Sequence, residues 1–353
     1  MAKKVLIVDD SALIRRELSK LLEGAGFEID TAKNGAESLE KVLDNSFDAI
    51  TMDINMPVMD GLSAVKLIMK QKPTPIVMVS SLTQGDADIT FEALDYGAVD
   101  FVGKPGTITL KVKESGDEII SKVTVASNLS KSRLLIRKAG NTTKAGLGKK
   151  PEKKVVSRTV KAKKVVLVGS STGGPGLIEQ IATSVPADYP YPICVVQHMP
   201  EAFTNKFANR LDKISNLNVL EAKSNEPLTP GKIIIGRGGN HMLFTKKASG
   251  LVSVKLGANT NKRFFVPSID EMFFSAVDIF KGSDVLAIEL TGIGDDGADG
   301  MVNLKNKGAY TIAESEETAT IYGMPRVAFE KGGTVKVLPF PKIIDEILKF
   351  GRS

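Results

Sequence analysis

Val165-Val166-Leu167-Val168-Gly169-Ser170-Ser171-Thr172-Gly173-Gly174 runs from an apolar strand pattern into a glycine-rich turn, and helical spacing follows over 174–184. Strand, hydroxyl-bearing turn and helix in that order form one unit of an α/β sheet. The glycines permit a tight turn and leave Ser171 beside backbone N–H groups at a helix start, where developing negative charge is stabilised. Two more apolar runs end in reactive side chains. Residues 193–196 lead into Gln197-His198-Met199-Pro200, and residues 285–290 into Thr291-Gly292-Ile293-Gly294-Asp295-Asp296-Gly297. Hydroxyl, imidazole and carboxylate are the parts of a serine hydrolase, with neutral imidazole as the natural base. Taken singly, the first loop reads as a phosphate-cradling or merely glycine-rich turn, although no Gly-Lys-Ser/Thr follows it as in a Walker loop. The aspartates after residue 294 do not fit the EF-hand spacing. Spacing leaves open which of Asp295 and Asp296 would serve. The order Ser, His, Asp also differs from the Ser, Asp, His order of α/β-hydrolases.

The alternation continues on both sides of this unit. Helical patterns cover 202–214, 269–280 and 343–350, and short strands at 232–235 and 251–256 suggest a hairpin-rich insert. His241, the only other histidine, lies in that insert and reads as a satisfied structural residue. Toward the N-terminus, apolar runs at 4–8, 49–52, 76–79 and 99–102 end at Asp9-Asp10, Asp53, Ser80 and Lys104. Repeated strand–helix alternation implies a parallel sheet, whose ligands bind beyond the carboxyl ends of the strands. These residues should therefore converge. Clustered carboxylates need a neutralising cation, and oxygen-only donors suit Mg²⁺. Strand-end aspartates can be simple helix caps, but a hydroxyl and an amine at the same rim point to phosphoryl transfer. Lys104 and the metal would neutralise a phosphoryl group on Asp53, with Ser80 bonding its oxygens.

Length permits two or three domains. The net charge of +6 is concentrated in residues 131–164, where thirteen Lys or Arg face one acid, against thirty-four and forty elsewhere. Such a run reads first as a solvated linker. A modest helix is expected over 114–137 and a flexible tether over 139–164. The expected division is 1–113, then 114–163 as helix and basic linker, then 164–353. No apolar run is long enough to span a bilayer, and two aspartates stand where a signal peptide would stay apolar, so a cytoplasmic location is expected. Cys194, the single cysteine, excludes an internal disulfide and reads as a buried strand thiol.

The segments Val8-Asp9-Asp10-Ser11, Met52-Asp53-Ile54-Asn55-Met56-Pro57-Val58-Met59-Asp60-Gly61, Val79-Ser80-Ser81 and Lys104-Pro105 resemble those of response-regulator receiver domains. That resemblance implies a flavodoxin-like doubly wound parallel sheet with phosphate accepted by Asp53 from a histidine kinase. It implies Mg²⁺ held by Asp9, Asp10, Asp53 and the Asn55 backbone carbonyl, and Ser80 with Phe101 as a switch pair beside Lys104. The three C-terminal segments resemble the chemotaxis protein-glutamate methylesterase family. The receiver–linker–esterase order matches as well. This resemblance implies a second doubly wound α/β domain with Ser171 as nucleophile, His198 as base and Asp296 as third member. Thr172 would support the nucleophile loop, and backbone N–H groups near Ile293 and Gly294 would form the oxyanion hole, with no cofactor. The implied substrates are glutamyl methyl esters on methyl-accepting chemoreceptors, and glutamines deamidated at the same site. Three positions depart from the common pattern. Ile293 stands for Met, Ser170 for Ala, and Asp295 where Asn is also found.

A rival reading joins the receiver to a non-catalytic module that binds an anion or nucleic acid through its glycine loops and basic tether. Salt-dependent DNA affinity would mark it. No specific nucleic acid is expected on the esterase reading. There, the unphosphorylated receiver is expected to cover the esterase site. Deleting residues 1–150 should then raise basal methanol release, and equal or lower turnover by a folded remainder would count against cover.

Overall fold

The computed structural model describes residues 2–81, 83–104, 112–129 and 163–352. The chain divides into two compact units. The expected basic tether, most of it within 130–162, lies outside the described residues.

The first unit is built on five strands, β1 (Lys4–Val8), β2 (Glu28–Ala32), β3 (Ala49–Asp53), β4 (Ile76–Ser80) and β5 (Asp100–Gly103). All pair in parallel, in the order β2-β1-β3-β4-β5. This is the flavodoxin-like doubly wound order, with its reversal between β1 and β3. The intervening helices are α1 (Ala12–Gly24), α2 (Gly35–Asp44), α3 (Gly61–Gln71) and α4 (Gln84–Asp95), and α5 (Val112–Ser127) follows β5. Ser11, Asn34, Asp60 and Thr83 cap α1 to α4, each side-chain oxygen accepting a first-turn N–H. Strands β3 and β4 are buried along their whole length, as expected for a sheet covered on both faces. The helix expected over 114–137 is α5, and residues 130–137 lie outside the described part.

The second unit holds a seven-stranded sheet. Its strands are β6 (Val165–Ser170), β7 (Ile193–Gln197), β8 (Asn218–Glu221), β9 (Lys232–Ile235), β12 (Val285–Glu289), β13 (Tyr310–Glu314) and β14 (Lys336–Leu338). Their order is β14-β13-β12-β6-β7-β9-β8, with every pair parallel. β10 (His241–Lys246) and β11 (Val252–Gly257) form a separate antiparallel hairpin. The helices are α6 (Gly174–Ser184), α7 (Glu201–Ile214), α8 (Ile269–Ile279), α9 (Ala298–Asn306), α10 (Met324–Glu330) and α11 (Phe340–Phe350). Residues 232–235 are corrected by this topology. They belong to the main sheet beside β7, because Ile233, Ile234 and Ile235 are all buried, which a two-sided parallel strand requires and a hairpin does not. The strand expected at 251–256 is indeed in the hairpin.

Winding reverses between β6 and β12, so the loops after these two strands open onto one crevice. Beneath them lies a core drawn from Val165, Leu167, Cys194, Ile234, Met272 and Phe273. Phe203, Phe207 and Phe273 are fully buried. Removing any one of these rings would cost about 3–5 kcal/mol, which is why the crevice sits on a rigid floor. Among the described residues no helix is long and apolar enough to cross a membrane.

Candidate active site and acidic cluster

β6 and β7 run in register up to the pair Ser170–Gln197, and His198 N–H donates to Ser170 O at 3.0 Å. Ser171 and His198 are therefore the first residues past two neighbouring strand ends. Ser171 N–H donates to Thr291 O at 2.9 Å, which brings in the loop after β12. Thr291 Oγ1 donates to Thr172 O at 2.8 Å, and Thr291 N–H is held by buried Glu314 at 2.9 Å. Gly292 has no room for a side chain, since a Cβ there would lie 2.8 Å from Ser171 Cβ. Ile293 and exposed Gly294, at φ 91°, continue directly from this contact. At the other side of the loop, Gly173 takes φ 84° to start α6, a conformation that favours glycine.

His198 Nε2 lies 2.8 Å from Asp296 Oδ2. A carboxylate only accepts, so Nε2 carries a proton, and in the neutral imidazole Nδ1 is then the acceptor. Nδ1 is buried and makes no hydrogen bond. The imidazole also stacks on Phe265, with ring centroids 3.9 Å apart and planes 12° from parallel. Asp296 receives three further donors from the start of α8. Ser268 Oγ donates to Oδ1 at 2.7 Å, Ile269 N–H to Oδ2 at 2.7 Å, and Asp270 N–H to Oδ1 at 3.1 Å. Burial would raise the pKa of Asp296, but the hydrogen bond and charge of His198, with the Ile269 and Ser268 donors, hold it down to about 2. Asp295 is exposed and points no such bonds inward. Of the two aspartates left open by spacing, Asp296 is the one on the imidazole.

His241 is satisfied rather than reactive. Its Nδ1 accepts from Ser268 N–H at 3.1 Å and its Nε2 lies 3.2 Å from Asn259 Oδ1. It thus fixes the residue that caps both α8 and Asp296. Sequence reasoning did not find Ser268, Gln197, Phe265, Thr291 as an anchor, or Glu314. Only Ser268 carried a readable signal, the capping-box spacing Ser268…Glu271 ahead of an apolar helix. Cys194 is wholly buried, and burial pushes its thiol up, in line with an inert strand residue.

In the first unit, Asp9, Asp10 and Asp53 each offer one oxygen, and these oxygens lie within 4.8 Å of one another. Lys104 Nζ stands 2.9 Å from Asp9 Oδ2 and from Asp53 Oδ2. The site lies at the β1/β3 reversal, as expected. Burial raises the Asp53 pKa, with Asp9 adding to the rise and Lys104 opposing it. Burial would lower Lys104, but Asp53 and Asp9 keep it raised. Three hard oxygens beside one ammonium fit a small divalent cation such as Mg²⁺. Ser80 and Phe101 are buried on β4 and β5, and Ser80 Oγ reaches Asp86 Oδ2 at 3.3 Å. Asn55 donates its side-chain amide to Asp86 at 3.1 Å.

A CheB methylesterase family model matches residues 166–347, and a response regulator receiver domain model matches residues 5–112. The chain belongs to the CheB methylesterase family. It is 45% identical over 354 residues to a protein-glutamate methylesterase/protein-glutamine glutaminase of Carboxydothermus hydrogenoformans, covering 99% of each chain. A protein of the same name from Archaeoglobus fulgidus is 44% identical, with 98% of this chain and 97% of that one covered. The crystal structure of the Thermotoga maritima CheB methylesterase catalytic domain superposes with a TM-score of 0.51 at 38% identity, covering 53% of this chain and 97% of the other. Full-length coverage of such relatives accounts for both units together.

One buried acid near the site belongs to no hydrogen-bond network. Glu289, at the end of β12, is fully buried and both its carboxyl oxygens lack partners. Burial raises its pKa well above the ordinary range, with Asp296 and Asp270 adding to the rise. The folded chain therefore holds a proton that the unfolded chain releases above about pH 4.3. Stability is lost as pH rises through that window, until the folded-state pKa is reached. Relative to the unaltered chain, Glu289→Gln should gain stability by about 1.4 kcal/mol per pH unit there. Denaturant unfolding from pH 4 to 8 measures this, and a pH-independent difference would contradict it.

Proposed function

We propose that this chain is a phosphorylation-controlled protein-glutamate methylesterase, with Ser171, His198 and Asp296 as its reacting set. The observation that carries the reading is the imidazole bound through Nε2 to a half-buried, ionised Asp296, with Nδ1 left as a buried acceptor at the strand end next to Ser171. Ser171 Oγ attacks the γ-carbonyl of a glutamyl methyl ester as His198 Nδ1 takes the hydroxyl proton. Asp296 stabilises the imidazolium so formed. Backbone N–H groups at Ile293 and Gly294 stabilise the oxyanion, and Thr172 supports the loop. The imidazolium then protonates departing methanol, leaving an acyl-enzyme. Water, deprotonated by His198, attacks the acyl carbon, and Ser171 recovers its proton as glutamate is released. With glutamine in the site, ammonia replaces methanol as the leaving group.

The substrates on this reading are cytoplasmic helices of chemoreceptors, and the chain works in the cytoplasm. Its first unit takes phosphate from a histidine kinase. Asp9, Asp10, Asp53 and the Asn55 carbonyl would hold Mg²⁺, which supplies charge neutralisation for an incoming phosphoryl group. Lys104 adds a positive charge at the same oxygens, and Ser80 with Phe101 relays the change. Residues 1–113 form the receiver, 114–163 the link, and 164–353 the esterase.

Ser171→Ala should lower methanol release from methylated receptors by at least ~10³-fold, and should abolish labelling by a serine-directed phosphonate. Near-normal turnover by this variant would remove Ser171 as nucleophile. For the receiver, a small phosphodonor with Mg²⁺ should raise turnover by the unaltered chain and leave Asp53→Asn at its basal rate. Equal stimulation of both would sink control through Asp53.

A further inference from the structure

Gln197, the last residue of β7, is 3% exposed, yet every polar atom of its side chain is engaged. Nε2 donates to Ser171 O at 2.9 Å and to His198 O at 3.2 Å. Oε1 accepts from Ser170 Oγ at 2.8 Å. Two carbonyls can only accept, so the NH₂ group must face them, and the Ser170 hydroxyl then has to donate to the remaining oxygen. The contacts fix the orientation of the amide without ambiguity. They also account for Ser170: its hydroxyl is fully buried and directed at Gln197.

The sheet ladder ends just below this point. The last rung between the two loops is His198 N–H to Ser170 O. Beyond it, no strand pairing sets the separation of Ser171 from His198, whose side chains must meet. The Gln197 amide spans that gap and ties both carbonyls from a single planar group. The glycine loop is shaped around it. A Cβ on Gly174 would overlap Gln197 Oε1 and come within 2.8 Å of Ser170 Cβ. Gly174 therefore leaves room for the amide.

We infer that Gln197 is a positioning residue for the esterase reaction, holding the backbones that carry nucleophile and base in register as an extra rung of the sheet, with Ser170 orienting its amide and Gly174 making space for it. This rests on the esterase reading above. The hydrogen bonds of Gln197 go to two backbone carbonyls and the Ser170 hydroxyl, so it acts through the residues that react. Its effect should fall on kcat, because a misplacement of about 1 Å between reacting groups can cost about 10²-fold.

The test uses the full chain, a helical peptide carrying a glutamyl γ-methyl ester, and a fluorophosphonate label. The unaltered chain should release methanol and Ser171→Ala should not; without that difference the esterase reading falls, and this inference with it. Given that difference, Gln197→Met should lower kcat by about 10²-fold with KM within about twofold. Labelling should still reach one per chain, at a rate lowered by a similar factor. A label stoichiometry that falls with kcat would mean lost folding rather than lost positioning, and the decision then rests on Gly174→Ala. Gly174→Ala keeps every polar group but displaces the amide, so it should reproduce the kcat loss should Gln197→Met fail to fold. A kcat within about twofold of the unaltered value in a folded variant of either kind would also overturn it.

Discussion

The second unit depends on how one half-buried carboxylate is kept ionised. Burial alone would raise the pKa of Asp296, and four donors, His198 foremost, hold it down to about 2 instead. Three of the donors come from the start of α8, two of them unpaired first-turn N–H groups, which favour an anion, and one the hydroxyl of the Ser268 cap. The fourth is the imidazole. The helix start adds to what His198 supplies, so the carboxylate does not rely on the imidazole alone. That matters beside a base, which must accept a proton and return it within one turnover. His241 and the Ser268 cap extend the same logic outward, since they fix the helix start that fixes Asp296.

Both units solve the problem of assembling a site in the same way. Each places polar residues just past the carboxyl ends of parallel strands, at the point where the winding reverses. The strands supply a rigid floor, and the loops supply chemistry with little constraint from packing. The difference lies in the electrostatics. Burial and the neighbouring Asp9 oppose ionisation of Asp53, and the rim it shares with Asp9 and Asp10 suits an incoming cation. Asp296 has no second carboxylate among its hydrogen-bond partners and is surrounded by donors. The same side chain is thus set for two tasks by its neighbours alone.

What could be read from the sequence followed a physical rule. A buried strand is a short apolar run, and a reactive side chain at its end interrupts that run visibly. Ser171, His198, Asp53 and the aspartates after β1 and β12 all stood out in that way. So did the doubly wound character of both units. Residues 28–32, 218–221, 310–314 and 336–338 carry no clear strand signal, because each mixes polar with apolar residues at or near a sheet edge. The run 232–235 reads as part of a hairpin, since four residues cannot report whether their partner is parallel or antiparallel. The supporting shell was also hidden. Gln197 reads as one more polar residue beside a histidine, and the Phe265 stack on His198 joins positions 67 residues apart with no local pattern between them.

The support around the nucleophile has a cost that the fold carries elsewhere. Glycines at 173, 174 and 292 stand where a side chain would collide with Thr320, the Gln197 amide or Ser171. Each raises the entropy that folding must overcome. A loop so rich in glycine would be loose if only its own backbone bonds held it. Here Thr291 bonds it from β12, and the Gln197 amide from β7. Glu314 in turn holds Thr291 from β13, at a carboxyl whose pKa burial raises to about 7. The loop is therefore fixed by side chains from β7 and from the loop after β12, the latter held in turn from β13, and glycine is what lets them come close enough to do it.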